Sequence, residues 1–193
     1  GLGVINNNAE VKIGESVVVW GAGGVGLNIV QGAAMVSASP IVAIDLFDHK
    51  LELALNMGAT HIINANKVNP ENEIVKIVGK NGADVVIDNT GNTDIIKRAY
   101  ALTSNIGRTI LVGVPPIGDE VKLYTLPLHF EKTLTGSHGG EAKPDIDIPN
   151  YIKLHETGRL KLKQLITHNY HLKNINEAIE KMRLGEISGK CII

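Results

Sequence analysis

A run of β-branched residues, Ser16–Trp20 (SVVVW), leads directly into Gly21–Gly26 (GAGGVG), and that hexapeptide opens a small-residue pattern of helical spacing over Gly23–Val36. Strand, glycine turn and helix in this order leave the chain few folds to choose from. Gly21 permits the tight turn, Gly23 lets the backbone approach a diphosphate, and Gly26 lets the helix pack closely on the strand. Gly24 and Val25 fall at the helix N-terminus, where unpaired N–H groups and the helix dipole favour an anion. Asp45 closes the next apolar run, Ile41–Asp45 (IVAID), 24 residues after Gly21. A carboxylate there accepts hydrogen bonds from a ribose diol. A 2′-phosphate beside it would set like charges together, at a cost of ~1–3 kcal/mol, roughly tenfold to a hundredfold in affinity. Leu46 and Phe47 follow Asp45, not an arginine. The motif therefore reads as a dinucleotide site that favours NAD over NADP.

The strand signal recurs at Thr60–Ile63, Asp84–Asp88 and Thr109–Val114, with helical patterns at His49–Met57, Pro70–Val78 and Thr93–Leu102 between the runs, and the alternation weakens after Leu134–Gly140. Strands apolar throughout, rather than alternating, indicate a parallel sheet covered on both faces. The fold class is α/β: a Rossmann-type, doubly wound parallel sheet of about six strands. Val114–Gly118 (VPPIG) is a loop, because paired prolines stop both strand and helix. Gly139, Gly140 and Pro144 mark a boundary, giving a nucleotide-binding domain over residues 1–140 and a C-terminal α/β segment over 141–193. In that segment the spacing predicts a helix over Ile148–Glu156 with Pro149 in its first turn, a strand over Leu165–Leu172, and a closing strand over Lys190–Ile193. Asn174–Glu177 (NINE) reads as a capping box opening a helix that stops at Gly185.

Composition narrows the function classes. A net charge of -1 over 193 residues argues against a dedicated nucleic-acid binder. No apolar run reaches the roughly 18 residues of a membrane span. Cys191, the single cysteine, forms no disulfide within one chain and fits a reducing, cytoplasmic setting. None of the four tyrosines has a lysine four positions later, and no P-loop or G-x-S-x-G elbow occurs. His168 and His171 on one strand would point to opposite faces. No catalytic residue and no metal ligand is assigned.

Several motifs in order, over nearly the whole chain, resemble the medium-chain, zinc-dependent alcohol dehydrogenases. They are Gly14-Glu-Ser-Val, Trp20–Leu27, Asp45 with Lys50, Met57–Thr60, Val112–Pro116 and Leu165–His168. The resemblance implies further roles. Lys50 would help Asp45 hold the adenosine ribose. Asn89, Thr90 and Gly91, with Val112, Gly113 and Val114, would line the nicotinamide side, and Ser137 and His138 would make the last contact. The family's basic contact to the cofactor diphosphate near the C-terminus falls at Gly189, with Lys190 beside it.

The family's zinc ligands, two cysteines and a histidine, have no counterparts among residues 1–193. The resemblance thus implies the NAD-binding domain and C-terminal return segment of a longer NAD-dependent alcohol dehydrogenase, zinc being held by the full-length parent only. This segment alone would be inactive. The implied partners are a small-molecule alcohol or aldehyde and a second copy of the chain, as a homodimer or higher homo-oligomer through Lys132–Gly136, with no nucleic acid and no membrane. Leu165, Ile192 and Ile193 would lack packing partners in such a piece. A stand-alone NAD-binding or regulatory module and a zinc-independent quinone reductase are the alternatives; Asp45 argues against the second.

Overall fold

A computed structural model describes residues 1–193. Six parallel strands form one sheet in the order β3-β2-β1-β4-β5-β6. They are β1 (Val17–Trp20), β2 (Ile41–Asp45), β3 (His61–Asn64), β4 (Ala83–Asp88), β5 (Thr103–Leu111) and β6 (Thr133–Gly136). Helices α1 (Gly24–Met35), α2 (Asp48–Met57), α3 (Pro70–Val78) and α4 (Thr93–Leu102) make the first four crossovers. The central strands are apolar on both faces because both faces are covered. Val17 and Val19 join Leu27, Ile29 and Val30 of α1 in one core, while Val18 and Trp20 join Ile74 of α3 and Ala99 of α4 in another. No helix is long and apolar enough to cross a membrane.

Local signals fixed the helix starts. The side chain of Asn69 accepts from Asn72 N–H ahead of Pro70, and Asn92 accepts from Asp94 and Ile95 N–H, the N-cap arrangement that satisfies otherwise orphaned donors. Strand β5 departs from its expected bounds. It begins at Thr103 and ends at Leu111, because the N–H groups of Val112 and Gly113 both turn to the Asp88 carbonyl (2.8 and 3.0 Å) and leave the ladder.

The C-terminal segment departs further. Helix α5 runs Pro144–Glu156, so Pro144 takes the first-turn position and Pro149 lies inside. The Asp147 carboxylate accepts from Lys143 N–H (2.7 Å), closing that end. Strand β7 is only Ile166–Asn169, pairing parallel with β8 (Lys190–Ile192). Leu172–Asn174 is a 3₁₀ turn that runs straight into α6 (Ile175–Arg183). Asn174 is consequently not extended (φ -104°, ψ 15°) and its side chain caps nothing, so the expected capping box does not form. Glu177 instead pairs with Lys181 at 2.8 Å.

Leu165 also departs from expectation. It is buried in the same core as β1 and α1, while Ile192 and Ile193 are exposed as expected. Leu160 is buried too, and Lys161 N–H donates to the side chain of buried Gln31 in α1 (2.8 Å). The segment is thus tied to the main sheet domain over residues 160–165.

A candidate dinucleotide site at the carboxyl edge of the sheet

Strands β1 and β4 are neighbours in register, Trp20 against Asp88. The connection from β1 leads towards β2 and that from β4 towards β5. Their loops therefore part at the carboxyl edge and leave a crevice, the usual position of ligands in open α/β sheets.

The glycine turn has the shape its sequence requires. Gly21 has φ +91°, and its N–H donates to the Ile44 carbonyl (2.8 Å). A Cβ on Gly26 would overlap the Gly21 carbonyl oxygen, so only glycine lets α1 start this close to β1. A Cβ on Gly23 would meet nothing within 4 Å. The backbone is open at that point, as a diphosphate needs, with Gly24 and exposed Val25 in the first turn of α1.

Asp45 bridges the ends of β1 and β2. One carboxylate oxygen accepts from Ala22 N–H (2.8 Å); the other accepts from Leu46 N–H (2.8 Å) and Phe47 N–H (3.2 Å). The carboxylate is oriented by backbone and remains partly exposed. Lys50 lies in the first turn of α2, and its ammonium stands 4.7 Å from the Phe47 ring centroid. It rests on an aromatic face, with no ion pair to Asp45 among the salt bridges of the chain.

On the other side of the crevice, Asn89, Thr90 and Gly91 lie against Val112, Gly113 and Val114. Gly91 has φ +70°, and a Cβ there would come within 2.5 Å of the Val114 carbonyl oxygen. A Cβ on Gly113 would overlap the Gly91 nitrogen. Two glycines thus let the loops touch backbone to backbone. Asp88, which the sequence reading took only as a strand end, organises this wall. It is fully buried, and its carboxylate accepts from Thr90 N–H (3.0 Å), the Thr90 hydroxyl (2.6 Å) and Gly91 N–H (3.0 Å). A charge closing an apolar strand just before an Asn-Thr-Gly turn was the available signal.

Ser137 and His138 follow β6 at the same edge. Ser137 N–H donates to the Leu111 carbonyl, while its hydroxyl donates to Asn8 Oδ1 (2.7 Å) and accepts from Gly140 N–H (3.1 Å). That hydroxyl ties the N-terminal segment down. His138 is exposed.

Lys190 was placed only beside the expected basic position. In the fold, Gly189 forms a backbone bridge to Gly23, and the Lys190 side chain lies across Gly24, with its ammonium 3.0 Å from where a Cβ would stand. A cation therefore sits at the helix terminus even though position 189 is glycine. Farther along, Gly185 abuts the Phe47 ring, and His49 Nε2 lies 3.1 Å from the Gly185 carbonyl. No three His, Cys, Asp or Glu side chains converge in a way that could hold a metal ion. His168 lies on β7, whereas His171 precedes the 3₁₀ turn. The open backbone at Gly23 and the oriented Asp45 carboxylate leave room and partners for a dinucleotide, whereas no side-chain cluster of the zinc-ligand type is present.

A protein family described as zinc-binding dehydrogenase matches residues 24–157. The chain is 34% identical to S-(hydroxymethyl)glutathione dehydrogenase of Paracoccus denitrificans over 195 aligned residues, covering 96% of this chain and 52% of that protein. It is 34% identical to alcohol dehydrogenase 1 of Trifolium repens, covering 100% of this chain and 51% of the relative. Benzyl alcohol dehydrogenase from Acinetobacter calcoaceticus superposes with a TM-score of 0.91 at 32% identity, over 99% of this chain and 52% of that one. The chain spans about half the length of the curated relatives it matches.

Proposed function

The chain belongs to the zinc-binding dehydrogenase family, and from that premise we propose that it binds NAD for the interconversion of an alcohol and its aldehyde or ketone. The observation that carries this reading is the open backbone at Gly23 beside the backbone-oriented carboxylate of Asp45. Gly23, Gly24 and Val25 would hold the diphosphate at the start of α1, with Lys190 supplying positive charge. Asp45 would accept from the adenosine ribose, and the Asn89–Gly91 and Val112–Val114 walls would hold the nicotinamide. A nicotinamide held there would supply hydride transfer to or from the substrate. Residues outside the set described here would have to supply the zinc ligands.

Calorimetric titration with both cofactors tests the reading. NAD is expected to bind about tenfold to a hundredfold more tightly than NADP, from the like-charge cost at Asp45. Asp45→Ala should lose most of that preference, and Lys190→Ala should weaken both cofactors together. Equal affinity of the unaltered chain for NAD and NADP would remove Asp45 from the site.

Self-association follows from the same reading. Strand β6 has a partner only on its β5 side, and an unpaired strand edge invites a second chain. Val114, Ile117, Tyr124 and Phe130 in the preceding segment are exposed. Sedimentation at micromolar concentration is expected to show a dimer paired through Lys132–Gly136. A monomer throughout that range would leave the edge as a protected one, with exposed Glu131 as its guard.

A further inference from the structure

A cavity of about 950 Å³ lies away from the dinucleotide crevice. Gly82, Thr103 and Lys132 in its lining stand at or just before the first residues of β4, β5 and β6. It therefore opens at the amino edge of the sheet, the opposite end from Gly21–Gly26. The proposed cofactor binding does not use it; of its lining, Lys132 and Tyr124 also lie beside the strand edge proposed for self-association.

Its charge is one-sided. Lys80, Lys97, Lys122 and Lys132 line it, against Asp84 as the only acidic side chain. Asp84 is already committed, accepting from the N–H (2.8 Å) and hydroxyl (2.7 Å) of Ser16. Lys132 is the unusual member. It is buried, and its ammonium donates to the Thr103 carbonyl at the end of α4 (2.7 Å) and lies 4.3 Å from the Tyr100 ring centroid. A carbonyl at a helix C-terminus is a good partner for a lysine, but it takes one of three ammonium protons. No carboxylate pairs with Lys132, and burial lowers its pKa from the usual lysine value. A buried cation without a counter-ion is costly.

Two more groups in the same lining are unfinished. Tyr100 and Ser104 are each more than nine-tenths buried, and neither hydroxyl has a hydrogen-bond partner. Buried hydroxyls are ordinarily paired. Leu123, Tyr124 and Pro127 supply an apolar wall beside them. We propose that this cavity binds a small organic anion, its anionic oxygens held by Lys132 with the hydroxyls of Tyr100 and Ser104, and its apolar body against Leu123 and Pro127. Such a ligand provides the missing counter-charge, and its oxygens are acceptors for both idle hydroxyl protons.

Benzoate is a suitable probe, with benzamide as its neutral isostere, titrated calorimetrically into the chain with and without saturating NAD. Benzoate is expected to bind in both conditions, and benzamide at least about tenfold more weakly, the scale of a charge-assisted hydrogen bond. Lys132→Met should lower benzoate affinity by about tenfold or more, and Lys132→Arg should restore part of it. Tyr100→Phe keeps the ring and removes one idle hydroxyl. It should cost about threefold to tenfold in benzoate affinity while leaving the melting temperature unchanged or raised. Should Lys132→Met fail to fold, Tyr100→Phe decides alone. Equal binding of benzoate and benzamide, displacement of benzoate by NAD, or unchanged affinity in Lys132→Met or Tyr100→Phe would each overturn the proposal.

Discussion

Gly26→Ala is expected to melt well below the parent chain and to lose NAD binding with it. The added Cβ would overlap the Gly21 carbonyl oxygen, and both atoms belong to backbone that β1 and α1 hold in place. A Cβ is fixed by its own backbone, so its clash with a backbone oxygen cannot relax by a rotamer change. The cost should reach about 3 kcal/mol or more, a fall of roughly 6–12 °C for a domain of this size. Gly23→Leu is the complementary case. Nothing lies within 4 Å of the new Cβ, so the fold should lose no more than the ~1 kcal/mol of a poorer N-cap. NAD and NADP should weaken together, because the side chain obstructs the diphosphate and not the ribose. Differential scanning calorimetry and cofactor titration of the pair separate the effects. An unshifted midpoint in Gly26→Ala would mean that α1 can back away from β1.

Asp88→Ala is the second large effect. The three hydrogen bonds to Thr90 and Gly91 disappear together, leaving the N–H groups of Thr90 and Gly91 without their acceptor. Bonds to a charged acceptor contribute about 1.5–3 kcal/mol each, though water entering the vacated space offsets part of that. A net loss of about 3 kcal/mol is expected in urea unfolding. NAD affinity should fall too, since the Asn89–Gly91 wall loses its anchor. Asp88→Asn keeps one acceptor oxygen and should recover part of the stability. If Asp88→Ala unfolded at the same urea midpoint as the parent, the wall would have to be held by the Gly91–Gly113 contact alone.

The parts of the fold that could be read in advance were those written locally. Pro70 and the asparagines at 69 and 92 set helix starts through contacts within three residues in sequence, and Gly21–Gly26 carries its turn in six residues. The C-terminal segment was harder for a physical reason. Asn174 satisfies the local pattern of a capping box, but a 3₁₀ turn immediately before it imposes a different backbone angle. Pro149 looked like a helix start because a better one, Pro144, lies five residues earlier. Burial of Leu165 depends on α1 and β1, which no local window includes. The candidate site divides the same way. Asp45 could be read because its distance from the glycines is set by one βαβ unit. Lys190 could not, since only the folded chain brings it to Gly24.

That contact has a consequence in time. The glycine turn is complete once β1, α1 and β2 have formed, from fewer than forty residues of chain. The cation across it comes from more than 160 residues later in the chain, carried by the β7–β8 pairing and the Gly23–Gly189 bridge. Contacts between residues this distant in sequence close slowly, because the loop entropy is lost before the contact forms. During synthesis, the turn would emerge and fold while Lys190 was still to be added. The early fold would hold that helix end with no lysine on it, and the charge of the candidate site would be completed only in the last steps of folding.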